Sequence, residues 1–86
     1  MKRTEIEMVV RSSLEKLTDL DLSEVASDAD LGETIGLDSL GKLELLTDVE
    51  DRFDLTIYDA DTEGASTING MVEMVLTEVS RTDEAA

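Results

Sequence analysis

Eighty-six residues carrying twenty-two Asp/Glu against seven Lys/Arg give a formal charge of -15, which repels nucleic acid phosphates and anionic membrane surfaces, steers the chain toward basic partners and opposes its own compaction. Cysteine and histidine are both absent, so disulfides, thiolate metal sites, a cysteine nucleophile and the commonest general base are excluded. A core this small leaves little room for an enclosed catalytic cleft, so a module without catalysis of its own is expected.

Apolar residues make up 41% of the chain and recur at helical spacing, which predicts an all-helical domain rather than a disordered acidic tail. After a short tail at residues 1–3, Thr4 with Glu7 three positions on has the form of a capping box and opens a first helix running to about Leu17. Its Ile6, Val9, Val10, Leu14 and Leu17 share one face, and the cost of leaving that face in water would dock it. From Thr18 to Leu37 the period disappears, and Asp19, Asp21, Ser23, Ser27, Asp28, Asp30, Gly32 and Gly36 supply turn chemistry. A long ordered loop is predicted, with Leu20, Leu22, Val25, Leu31 and Ile35 as apolar pegs. A connection of that length in a small domain points to a function.

A second helix begins at Asp38 or Ser39, either of which can cap it, and carries Leu40, Leu43, Leu45, Leu46, Val49 and Phe53, with Leu45, Val49 and Phe53 as the inward row. The alternating Asp54-Leu55-Thr56-Ile57 is too short and lacks a partner to form a strand, so it reads as an extended linker. Residues 59–64 suit one short helical turn, weakened by Gly64. A final helix follows Ser66 or Thr67, with Ile68, Met71, Val72, Val75, Leu76 and Val79 on the cleanest stripe in the chain. Residues 81–86 lack periodicity and read as a solvated tail, leaving one domain over residues 4–80. No apolar run is long enough to cross a bilayer, and Met1-Lys2-Arg3 leads into Thr4-Glu5 rather than into an apolar signal segment, so the cytoplasm is the expected location.

Ser39 stands where the long loop turns into helix two, outside the inward stripes. A phosphodiester built on its hydroxyl would lie near unpaired N–H groups and the positive end of the helix dipole, both of which favour an anion. In order and spacing, Ile35-Gly36-Leu37-Asp38-Ser39-Leu40, Leu43-Glu44-Leu45-Leu46, Phe53-Asp54-Leu55-Thr56-Ile57 and Thr67-Ile68 resemble the signature of the acyl carrier protein family, over a region from about Asp28 to Val75. The resemblance implies a bundle of three main helices and one short one, with the long loop between helices one and two. It also implies that a phosphopantetheinyl transferase joins phosphopantetheine from coenzyme A to Ser39, and that the thiol of this arm carries acyl groups as thioesters. Leu40 flanks the attachment point, and Asp38 either caps the helix or helps dock the transferase or its metal. Glu44, Asp48, Glu50 and Asp51 would meet basic patches on acyl-loading and ketosynthase-type enzymes, where such charges act mainly on association rate. Leu43, with Leu40, would touch partners or rim an acyl pocket. The family pattern includes no catalytic residue and no resident metal, and it implies a discrete monomeric carrier.

Several positions depart from that pattern. Gly41, Lys42 and Arg52 interrupt an acidic helix, Leu31 replaces a common aromatic, Tyr58 a common proline, and Gly64-Ala65 larger side chains, which suggests a mobile short helix or an altered chain pocket. These departures favour a specialised polyketide or related pathway, with primary fatty acid synthesis as the second choice; Gly36-Leu37-Asp38-Ser39 resembles the acyl rather than the peptidyl type. Two other classes compete. Asp59-Ala60-Asp61-Thr62-Glu63-Gly64 begins like a calcium loop, but Ser66 and Gly70 stand where an apolar residue and the closing glutamate belong. An acidic regulatory module without a covalent cofactor is the third.

Overall fold

A computed structural model describes residues 2–57 and 64–85, with side chains through residue 80. Three apolar stripes meet at its centre: Ile6, Val10 and Leu14 from α1 (Arg3–Thr18), Leu45, Leu46 and Val49 from α3 (Ser39–Phe53), and Ile68, Met71, Val72 and Val75 from α4 (Ile68–Ala85) are all buried. Burying each such side chain contributes roughly 1.5–3 kcal/mol, against about 1 kcal/mol for a helix cap, so the stripes decide where the helices lie. The α1 helix packs on both α3 and α4. A five-residue helix, α2 (Leu31–Ile35), and a 3-10 turn (Gly64–Ser66) complete an all-helical bundle, with no strand among the described residues. No described helix is long and apolar enough to cross a membrane.

The capping box at Thr4 and Glu7 does not form. The α1 helix starts one residue earlier, at Arg3, with Lys2 as an N-cap that makes no side-chain bond. The side chains there are engaged otherwise: Arg3 pairs with Glu73 and donates to Asn69 on α4, while Glu7 receives Arg11 Nε at 3.1 Å one turn along α1. Leu17, expected on the buried face, is partly exposed at the end of the helix.

The connection from Thr18 to Leu37 is ordered as expected, but it contains α2, which was not foreseen because five residues are too few to display a period. Asp30 caps α2 by accepting the Glu33 N–H at 3.0 Å. Gly36 ends it in the left-handed region (φ 72°) and donates to the Gly32 carbonyl, a conformation that favours glycine. Leu22 and Leu31 are fully buried pegs and Val25 and Ile35 pack partly against the core, whereas Leu20 remains exposed. Arg11 clamps the loop, donating to the Leu22 carbonyl at 2.8 Å and the Ser27 hydroxyl at 3.1 Å, and the Asn69 N–H reaches the Ser27 carbonyl at 2.9 Å. A connection with so many anchors holds the start of α3 in place.

Asp54 terminates α3 in the left-handed region (φ 52°), and Leu55–Ile57 then runs without regular structure, as expected of a linker. Phe53 ends the inward row only partly buried. Residues 59–63 of the expected short helical turn lie outside the described residues; its last position, Gly64, opens the 3-10 turn. Thr67 precedes α4, its hydroxyl accepting the Gly70 N–H at 2.9 Å. Gly70 lies so close to Gly64 that a Cβ there would stand 1.8 Å from the Gly64 carbonyl oxygen. The α4 helix continues to Ala85, so the end of its apolar stripe near Val79 does not end the helix, and residues 81–85 are helical backbone.

Candidate functional site

Ser39 is the first residue of α3, and the site is built by the turn that precedes it. Asp38 has extended backbone, and its Oδ1 accepts the Gly41 N–H at 2.8 Å, so the cap role is the one its geometry displays. The first intrahelical bond of α3 is made by the Lys42 N–H to the Asp38 carbonyl at 2.9 Å. The N–H groups of Ser39 and Leu40 lie ahead of that bond, at the positive end of a fifteen-residue helix. Ser39 is exposed, and Leu40 beside it is 65% exposed. A hydroxyl with solvent in front and helix N–H groups around it fits a covalently held phosphodiester, which needs access for an enzyme and stabilisation for its charge.

Leu40 and Leu43, one turn apart, form an exposed apolar row below Ser39. That row leads to an open groove of about 480 Å³ between α3 and α1, where Leu43 faces Leu17 and Lys16, with Glu44, Asp48 and Asp51 alongside. Four of the five residues expected to meet partners thus come together. Glu50 does not join them: it is half-buried, and its Oε2 accepts the Ile57 N–H at 2.8 Å, which fastens the linker to the end of α3. The contribution of α1 to the groove could not be read from the motif, which lies wholly beyond it.

Asp48 is tied into this surface. Its carboxyl is held below the ordinary value of 3.8, first by the adjacent Ser13 hydroxyl; burial opposes this as the next largest effect, and the charges of Arg52 and Lys16 add to the lowering. Arg52 Nε donates to Asp48 at 3.0 Å. Ser13 is buried, and its hydroxyl makes no bond of full hydrogen-bond geometry, so its influence on Asp48 is one of proximity.

Lys42 is the residue the motif singled out only as a departure. It is half-buried, and its ammonium donates to the Ser66 hydroxyl at 3.1 Å, joining the first turns of α3 to the 3-10 turn. It pairs with no carboxylate among the described residues.

The segment that begins like a calcium loop, residues 59–63, lies outside the described residues. Of its later positions, Ser66, where an apolar residue belongs, receives Lys42, and Gly70, where the closing glutamate belongs, has no side chain to coordinate with and packs against Gly64. Among the described residues no group of three or more acidic side chains could hold a metal ion.

Comparison with known proteins gives a consistent result. Residues 9–75 match the family model described as a phosphopantetheine attachment site. An acyl carrier protein of Exiguobacterium sp. strain AT1b is 30% identical over 79 residues, covering 92% of this chain and all of the relative. An acyl carrier protein of Desulforapulum autotrophicum is 38% identical over 61 residues, covering 71% of this chain and 79% of the relative. One of Thermotoga maritima is 34% identical over 73 residues, covering 85% and 90%. No solved structure gives a significant match.

Proposed function

This chain belongs to the acyl carrier protein family, and from that premise we propose that Ser39 is the residue that bears the prosthetic group. The family fixes the general role: a non-catalytic carrier of acyl groups with a covalently attached phosphopantetheine. When attached, that group supplies a terminal thiol able to hold acyl chains as thioesters. Such carriers work with phosphopantetheinyl transferases and synthase enzymes in general.

The observation that carries the assignment to Ser39 is its position: an exposed hydroxyl on the first residue of a long helix, capped by Asp38 and held by an anchored loop. In the modification a P–O bond forms at Ser39 Oγ as the pyrophosphate of coenzyme A breaks. The adenosine bisphosphate leaves, and the hydroxyl proton passes to a base of the transferase. Asp38 keeps the helix start rigid while this happens. Tethering then raises the effective concentration of an intermediate at the next enzyme.

The groove surface supports the partner side of the reading. Leu43 and Leu40 supply apolar contact, and Glu44, Asp48 and Asp51 supply negative charge that draws a basic patch on acyl-loading or ketosynthase-type enzymes. We assign the protein to the cytoplasm as a monomer, and the departures at Gly41, Lys42 and Arg52 favour a polyketide or related pathway ahead of fatty acid synthesis. Incubation with coenzyme A and a broad-specificity transferase is expected to add the mass of one phosphopantetheine, and Ser39→Ala to abolish the gain. An undiminished gain in that variant would refute the assignment.

A further inference from the structure

We propose that Lys42 is a positioning residue for the prosthetic arm: its ammonium leaves the Ser66 hydroxyl and pairs with the phosphodiester on Ser39, so that attachment of the arm releases the 3-10 turn Gly64–Ser66 from α3. This inference rests on attachment at Ser39.

Three observations converge on it. Lys42 lies three residues after Ser39 on the same helix, and side chains at that spacing are neighbours, with Cβ atoms about 5–6 Å apart. The four-carbon stem gives the ammonium ample freedom to turn from one side of the helix start to the other. Second, the ammonium has a neutral hydroxyl as its partner, at 3.1 Å, and no carboxylate among the described residues, in a chain with a formal charge of -15. Of the carboxylates near it in sequence, Glu44 stands two residues on, a spacing at which helical side chains do not face each other, and Asp38, one turn before, is engaged by the Gly41 N–H. Bonds between an ammonium and an anionic oxygen are roughly twice as strong as neutral ones, so a phosphodiester within reach outcompetes the serine. Third, Lys42 sits just past the first turn of α3, which holds no acidic side chain beyond the Asp38 cap, and the helix dipole there opposes a cation. An anion on Ser39 turns that unfavourable placement into a favourable one.

The consequence reaches beyond the arm. The 3-10 turn carries Ala65, which is fully buried in the core, and Gly64, which is in close approach to Gly70 of α4. The Lys42–Ser66 bond is a direct polar link from the attachment helix to that turn. Exchange of the ammonium therefore reports the presence of the arm to a segment far along the chain from Ser39.

The test uses the full chain, uniformly labelled with nitrogen-15, before and after conversion by transferase and coenzyme A, with conversion followed by intact mass. In the wild type the Ser66 amide resonance is expected to move on conversion. In Lys42→Met the apo protein should already show Ser66 displaced in that direction, with no further movement on conversion, while Ser39, Leu40 and Gly41 still shift. Lys42→Arg should restore the movement. Complete conversion with Ser66 unmoved in the wild type, or moving equally in Lys42→Met, overturns the role of Lys42 alone. Absence of the mass gain overturns attachment at Ser39 and this inference with it. Methionine is a good helix former, and matching amide spectra elsewhere establish that the variant is folded.

Discussion

Replacing Gly70 by alanine sets two effects of opposite sign against each other. Helix propensity alone favours the change by about 0.8–1 kcal/mol, because glycine in a helix interior loses more conformational freedom than alanine. The packing opposes it: the new methyl would stand 1.8 Å from the Gly64 carbonyl oxygen and 2.9 Å from its carbon. Ordinary carbon–oxygen contacts lie at about 3.3 Å or more, so the Gly64 carbonyl, part of the backbone, must retreat by about 1.5 Å. Overpacking of this kind costs about 1–3 kcal/mol, and an approach this close to backbone falls in the upper part of that range, about 2–3 kcal/mol, which leaves Gly70→Ala destabilised by about 1–2 kcal/mol net. For a domain of this size that is a fall in Tm of about 5–15 °C, measurable by far-ultraviolet circular dichroism. Gly41→Ala is the comparison: its methyl meets the end of the flexible Leu37 side chain at 2.6 Å, which can rotate aside, so the loss is smaller. A Gly70→Ala variant that melts at or above the wild type would refute the close approach of α4 to the 3-10 turn.

Glu44→Lys is expected to slow modification or loading at low salt with Tm unchanged, whereas Glu50→Ala, which strips the acceptor from the Ile57 N–H, lowers stability by about 0.5–1.5 kcal/mol; the reverse pattern in stopped-flow kinetics and melting would remove Glu44 from the docking surface. The Asp48 carboxyl is depressed below 3.8 in the fold, so the stability it contributes is present above that pH and is lost as pH falls through the lower folded value. Asp48→Asn should therefore lower the urea midpoint at neutral pH, with the difference from wild type closing in acid; a constant difference contradicts the linkage. Added salt screens the repulsion among the carboxylates and should raise Tm, read in a melting series from low to high ionic strength; a flat series would show that the charge of -15 carries little folding cost.

The three long helices were legible because each must bury a stripe, and stripes such as Ile68, Met71, Val72 and Val75 leave a period in the sequence. The helix start at Ser39 was legible for a related reason: helix starts need capping residues, which Asp38 supplies, and the ordered motifs around it single out Ser39 as the proposed attachment residue. What escaped notice depends on contacts distant in sequence or too brief to repeat. The α2 helix spans little more than one turn. The helix starts one residue before the expected Thr4 cap, and Arg3, now its first residue, reaches Glu73 and Asn69 across the bundle. Glu50 looked like one more exposed carboxylate until Ile57 was seen to donate to it, and Lys42 like a mere interruption until Ser66, twenty-four residues away, met its ammonium. Helical wheels place a side chain on a face; they do not say which loop returns to cover it.

Fragmentation mass spectrometry of the converted protein addresses the carrier assignment most directly, because it locates the added group on a residue. The prosthetic group is expected on the peptide containing Gly36-Leu37-Asp38-Ser39-Leu40, with the modified fragment series beginning at Ser39. Recovery of that peptide unmodified from fully converted protein, with the added mass on another serine such as Ser66, would contradict it.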